Sequence, residues 1–328
     1  MTKLLGLDCI DWSRNDLANE LPIHNRHRLQ RLAIRICALA SLAFVGNRSS
    51  LAQNGPQAWF QADVPQPASL IVDAVQNEIK LIHYDQSYLR YRVHTRDQKG
   101  DQIRDVVESK DGTVARLIRR DDRTLTPEED AAEHGRLKAM LESPSAFEKH
   151  IEKDRSGKQM AVDMIKLLPD AMIFTFTQGQ PQRGDHPSGE PTEYVIDFQP
   201  NPQWSPPTMT SDALTGLKGR CWLDRKTHYL TRLETQIFQG VNFGFGIFAH
   251  IYPGGQFVVE QHPVGDQRWI VGHFVQHVTL RVIVKTIKQD SDLFASSFVQ
   301  VPPMSYEDAI LMLLSTPLPT AASETGSR

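Results

Sequence analysis

Three features of the sequence predict an α+β fold: a strongly curved antiparallel sheet, or incomplete β-barrel, with helices over its concave face. The run Gly219–Val301 is the densest strand-like stretch, and its short connections make antiparallel pairing the default. Its strands alternate apolar with polar residues, so the sheet has one apolar face that must be covered or folded around. A strand meander also precedes the helical block Thr126–Leu168, so strands on both sides of that block are expected to join one sheet, with the block inserted as its cover.

Taken in order, the chain opens with a polar leader, Thr2–Asn25. Arg26, Arg28, Arg31 and Arg35 then precede the apolar run Ile36–Val45, and Ser50-Leu51-Ala52 places small residues before Gln53. That order is charged region, hydrophobic region and cleavage site, so residues 1–52 are expected to be a leader and secretory signal peptide cleaved after Ala52. The mature protein is then periplasmic or secreted. Residues 53–66, with prolines at 56 and 65, are expected to be a disordered lead-in to a half-barrel domain over 67–301.

From Ala68, the spacing of Ile71, Val75, Ile79 and Ile82 predicts an amphipathic helix to about Tyr84, which needs a surface to lie on. Alternation over Leu89–Thr95, then Gln102–Ser109 and Thr113–Arg120, predicts three antiparallel strands, turned at Asp97–Gly100 and at Asp111-Gly112. Thr126-Pro127-Glu128-Glu129 is a capping box with proline at the first helical position, opening a helix to about Glu142. After Ser143-Pro144-Ser145 a second helix carries Phe147 and Ile151, with Gly157 as its weak point before Met160, Met164 and Leu168.

Strands are expected at Ala171–Thr177 and Glu193–Phe198, with polar or proline-rich loops over Gly179–Gly189 and Asn201–Asp212. In Tyr229–Ile237 the odd positions form the apolar or β-branched face. Pro253-Gly254-Gly255 turns the chain into a Phe- and Val-rich strand at Gln256–Gln261. The run Arg268–Lys288 puts Phe274, Val278, Leu280, Val282 and Val284 on one parity and His273, His277, Thr279, Arg281 and Lys285 on the other. It is too long for one flat strand and is expected to bend or break. Over 302–328, Ser305 caps a short helix and a disordered tail follows Pro317.

The 328 residues are 40% hydrophobic and 23% charged, enough for a full core. A net charge of −3 with no clustered basic stripe argues against nucleic-acid binding. Removal of the leader leaves Cys221 as the one thiol, so no intramolecular disulfide is expected.

No nucleophile elbow, phosphate loop, dinucleotide fingerprint or HExxH helix occurs, so no catalytic residue and no cofactor are assigned. His273 and His277 would share a metal on a helix, but on a strand the same spacing holds them about 13 Å apart, so no metal site is assigned. Asp185-His186 and His262 fall in turn-like stretches, and Cys221 beside Trp222 reads as a small buried hydrophobe. The unusual stretch is Val241–Tyr252. Phe243, Phe245, Ile247, Phe248 and Tyr252 read either as ordinary core or as the lining of a hydrophobic ligand site, with Gly244 and Gly246 as hinges of an apolar flap.

Leu125-Thr126-Pro127-Glu128-Glu129, Leu168-Pro169-Asp170-Ala171, Phe198-Gln199-Pro200-Asn201-Pro202, Trp222-Leu223-Asp224, Val241-Asn242-Phe243-Gly244 and Lys285-Thr286-Ile287 resemble recurring phrases of uncharacterised bacterial secreted proteins. With the order of elements over about 66–301, the chain resembles the LolA/LolB-like superfamily of outer-membrane lipoprotein-sorting carriers. The resemblance implies a half-barrel whose apolar concavity takes acyl chains, hence a non-enzymatic carrier or sensor for a lipid or acylated protein, with a cell-envelope protein as a further partner. The chain departs from that pattern in its large helical block. Two other readings stand beside it: a secreted hydrolase using the same cavity, and an envelope interaction protein without a small ligand.

Overall fold

The computed structural model describes residues 65–84, 86–180, 191–244, 248–265 and 268–319. The signal peptide and its cleavage site, nearly all of the lead-in, most of the 179–189 loop with Asp185-His186, and the end of the tail lie outside these residues.

The described chain is α+β. Helix α1 (Pro67–Ile82) buries Leu70, Ile71, Ala74, Val75, Glu78 and Ile82 on one stripe. The meander follows as β1 (Tyr88–Asp97), β2 (Gly100–Glu108) and β3 (Thr113–Arg120), then a two-residue strand β4 (Arg123–Thr124). The capping box forms as the sequence requires: Glu129 N–H donates to Thr126 Oγ1 at 3.2 Å and Thr126 N–H to Glu129 Oε2 at 2.9 Å. It opens α2 (Pro127–Glu142), followed by α3 (Pro144–Ile165) and one turn, α4 (Leu168–Ala171). Helix α3 runs through Gly157 without a break, because the residues on either side of it are held by packing at both ends.

The second half supplies β5 (Met172–Phe176), β6 (Glu193–Pro200), a 3-10 helix (Ser211–Gly216), β7 (Leu217–Asp224) and β8 (Leu230–Ile237). Short β9 (Val241–Phe243) and β10 (Ala249–Ile251) precede β11 (Gln256–Val264), β12 (Arg268–Val282), β13 (Lys285–Val301) and α5 (Tyr306–Ser315).

All thirteen strands of the described residues belong to one curved, unclosed sheet, ordered β4-β3-β2-β1-β13-β12-β11-β8-β7-β6-β5, with β10 beside β12 and β9 beside β10. The meander before the helical block is therefore joined to the later strands through the β1–β13 ladder. The two strands that flank the block in sequence, β4 and β5, are the two edges of the sheet, so α2–α4 carry the chain from one edge to the other. Bulges at Arg90/Arg92, Ile103/Arg104, Trp222/Leu223 and Glu260/Gln261 supply local bends that a flat ladder would lack.

The long run after Arg268 breaks. Its hairpin turns at Ile283-Val284, between the paired Val282 and Lys285, with Ile283 at φ 55°. Val284 thereby leaves the apolar parity and stands 85% exposed at the tip, while Phe274, Val278, Leu280 and Val282 stay buried as their spacing requires. Close strand approach at the neighbouring bulge explains Gly272: a Cβ there would lie 2.1 Å from the His262 ring.

Two apolar clusters result. The larger joins α1, the C-terminal part of α3 and inner residues of β1–β3 and β5–β13. The smaller holds Val107, Val114, Leu137, Met304, Tyr306, Ala309, Ile310 and Leu313, with Phe147 from the start of α3 against it. Both draw on residues before and after position 170, so neither half of the chain has a core to itself.

Candidate functional site

The apolar stripe of α1 lies over β7 and β8, and the fit is incomplete. Ile71, Ala74, Val75 and Glu78 form the roof of a hollow of about 80 Å³. Its floor is made by Leu217, Cys221 and Leu223 of β7 with Leu230, Leu233 and Thr235 of β8; Ile165, Leu168, Met172, Phe174, Phe198 and Leu214 close the sides. A single water needs roughly 10–15 Å³ of such space, so the hollow admits the end of an apolar chain, and a longer one must leave by the mouth or lift α1.

Three side-chain ties hold the helix down. Asp73 Oδ2 meets His228 Nδ1 at 2.9 Å, and Asn77 Nδ2 donates to Thr227 O at 2.9 Å, both on the β7–β8 turn. On the buried side, Gln261 Nε2 donates to both carboxylate oxygens of Glu78 at 3.0 Å. The first two ties are solvent-exposed and so contribute little each. Burial pushes the Glu78 carboxyl up to about 7 against the lowering effect of the Gln261 amide. The Tyr229 phenol is also pushed up, by burial first and then by the nearby Glu78 and Tyr84.

Of the residues singled out in the sequence, the described ones lie elsewhere. Phe243 is a core residue of β9, 1% exposed, and pairs opposite Ala249 of β10. Phe248 is 46% exposed, and Tyr252 N–H is bonded to Thr279 O of β12. Phe245, Gly246 and Ile247 fall outside the described residues. None of Phe243, Phe248 and Tyr252 lines the hollow under α1. The expected flap is, in its described part, a hairpin whose second strand is laddered to the end of β12. The sequence shows the aromatic rings and the glycines but carries no sign of that ladder. Gly244 does carry a requirement, since it sits at φ 57° and a Cβ would lie 2.2 Å from Phe248 Cδ2.

The histidines face outward. His273 Nε2 lies 2.9 Å from Asp292 Oδ1 and its ring stacks on Phe294 at 4.0 Å; His277 Nδ1 lies 3.0 Å from Asp290 Oδ1. Each is occupied by carboxylates on neighbouring strands, His273 by Glu260 as well as Asp292. Among the described residues no three His, Cys, Asp or Glu side chains are placed to hold a metal ion. Cys221 is buried in the floor of the hollow, and burial pushes its thiol up to about 12, far from the thiolate range of a nucleophile.

No family model matches the chain, and no curated protein matches it. Among solved structures, a domain named for outer membrane lipoprotein sorting, from Vibrio parahaemolyticus, aligns with 74% of this chain and 99% of its own length, at 10% identity and a TM-score of 0.31. The likeness is distant and bears on neither ligand nor partner.

Glu78 is the site residue that sequence reasoning passed over. Its signal was present, because position 78 continues the stripe of Ile71, Ala74, Val75 and Ile82 at helical spacing. An acidic residue inside such a stripe is either paired or functional.

Proposed function

We propose that the protein is a non-catalytic carrier or sensor that binds one apolar chain, of a lipid or an acylated protein, between α1 and the β7–β8 floor. The observation that carries this reading is the hollow itself, whose lining residues are apolar apart from Glu78 and Thr235. Water gains few hydrogen bonds there, so an alkyl chain replaces it favourably, at about 0.8 kcal/mol per buried CH₂. The roof is one helix held by two exposed polar ties and one buried one, so opening it sacrifices little beyond its apolar contacts. The charged-apolar-small order of residues 26–52 supports placing this carrier in the periplasm or outside the cell.

The test is to fill the hollow. Ala74→Trp projects an indole from the roof into the space and is expected to weaken binding of a fluorescent acyl-chain probe at least tenfold. The circular-dichroism spectrum should remain that of the unsubstituted protein. Undiminished probe binding by the folded variant would sink the reading.

A further inference from the structure

The one carboxyl group in the lining of the hollow decides what the head of the ligand should be. Glu78 is 7% exposed, lies in the roof, and is absent from every ion pair among the described residues. Its carboxylate has about four acceptor sites, and the Gln261 amide fills two of them. The Tyr229 phenol lies close enough for the Glu78 charge to raise it. Arg268, on the strand paired with that of Gln261, is committed to Glu108 through bonds of 2.9 and 2.7 Å. An acceptor with spare capacity and no cation paired to it among the described residues, set in an apolar wall, is arranged to receive a donor that arrives with the ligand.

We propose that Glu78 is a head-group anchor, and that the hollow selects single-chain amphiphiles whose polar end carries an N–H donor, an alkylammonium or a fatty amide, over chains ending in a carboxylate. This rests on the apolar-chain reading above and adds the polarity of the head. An ammonium placed beside Glu78 supplies the missing counter-charge, whereas a carboxylate there sets two anions together in a site that already disfavours one.

The experiment compares three probes of equal chain length, dodecylamine, dodecanamide and dodecanoate, each below its micelle concentration. They are titrated into the full protein at pH 8 by calorimetry and checked by native mass spectrometry. The amine is expected to bind at least tenfold more tightly than the carboxylate, with the amide between them. Glu78→Gln should bring amine and carboxylate within about threefold of each other, and Glu78→Leu should do the same if the glutamine variant unfolds. Equal binding of the three probes, or a preference that survives both variants, overturns the head-group assignment and leaves the apolar-chain reading standing. Failure of all three probes to bind overturns both.

Discussion

The two ends of the helical cover are built on opposite principles. At one end α2 and α5 sit on β2 and β3 over a cluster in which Leu137, Ala309, Ile310 and Leu313 have no exposed surface. Arg116, 2% exposed, binds this end together: Nη1 donates to Leu313 O and Thr316 O at the close of α5, and Nη2 to Asp130 Oδ1 of α2 at 2.9 Å. A cation among the last carbonyls of a helix is favoured by the helix dipole as well as by the bonds themselves. At the other end α1 lies on β7 and β8 over unfilled space, and its one buried polar group is a carboxyl bound only by an amide. One region spends its polar groups on fixing geometry. The other leaves its polar group half used and a hollow between its apolar faces.

The sharpest way to break this contrast is to remove the clamp. Arg116→Met keeps much of the apolar stem but strands Asp130 and the α5 carbonyls. The expected loss is about 3–5 kcal/mol in urea unfolding, summed over two α5 carbonyls that lose their donor and a half-buried Asp130 that loses its cation. A loss below about 1 kcal/mol would show that the apolar cluster alone fixes this end, and the two regions would then differ only in packing.

At the α1 end the corresponding experiment is a pH titration. The Glu78 carboxyl rises from 4.5 to about 7 on folding, so the folded state holds its proton more tightly than the unfolded chain does. Its contribution is fully present below about pH 4.5, falls as the pH rises toward 7, and is absent above that. The difference is roughly 3 kcal/mol. Glu78→Gln should therefore flatten the stability profile between pH 4.5 and 7, measured by urea unfolding at fixed ionic strength. A profile as steep in the variant as in the parent would assign the slope to other groups. Glu129 acts in the opposite sense: the Arg123 bond, then the Thr126 N–H, hold its carboxyl down at about 2, so its contribution is fully present above about pH 4.5 and is lost as the pH falls toward 2.

Local rules made most of the fold legible. The capping box, the period-two strands, the hairpin turns and the stripe of α1 are each fixed by residues close in sequence, and each formed within a few residues of its expected place. The sheet order follows from connections almost throughout, because hairpins pair neighbours. The site was much less legible. Which ring faces which space depends on contacts such as the β10–β12 ladder and the crossing of α1 over β7 and β8, which join residues up to 183 positions apart, as in Glu78 with Gln261. Phe243 and Phe248 drew attention because aromatic rings beside glycines are conspicuous. The residues that line the hollow are ordinary leucines and isoleucines whose special feature is the space between them.

That space gives the last and smallest effect, and it tests the comparison most directly. The same change, alanine to leucine, can be made under each end of the cover: Ala309 of α5 is fully buried in the filled cluster, and Ala74 of α1 faces the hollow. Ala309→Leu must displace neighbours already in contact, and overpacking of this kind costs about 1–3 kcal/mol. Ala74→Leu places three carbons into open volume, and filling a cavity commonly adds about 0.5–2 kcal/mol of stability. The two variants should therefore shift the urea midpoint in opposite directions, with the unfolding slope unchanged in both. Ala74→Leu should also compete with ligand, lowering acyl-probe affinity while it raises stability, which separates a hollow kept open for binding from one left by poor packing. A destabilised Ala74→Leu protein would mean that α1 already fits its floor, and the distinction between the two ends would collapse.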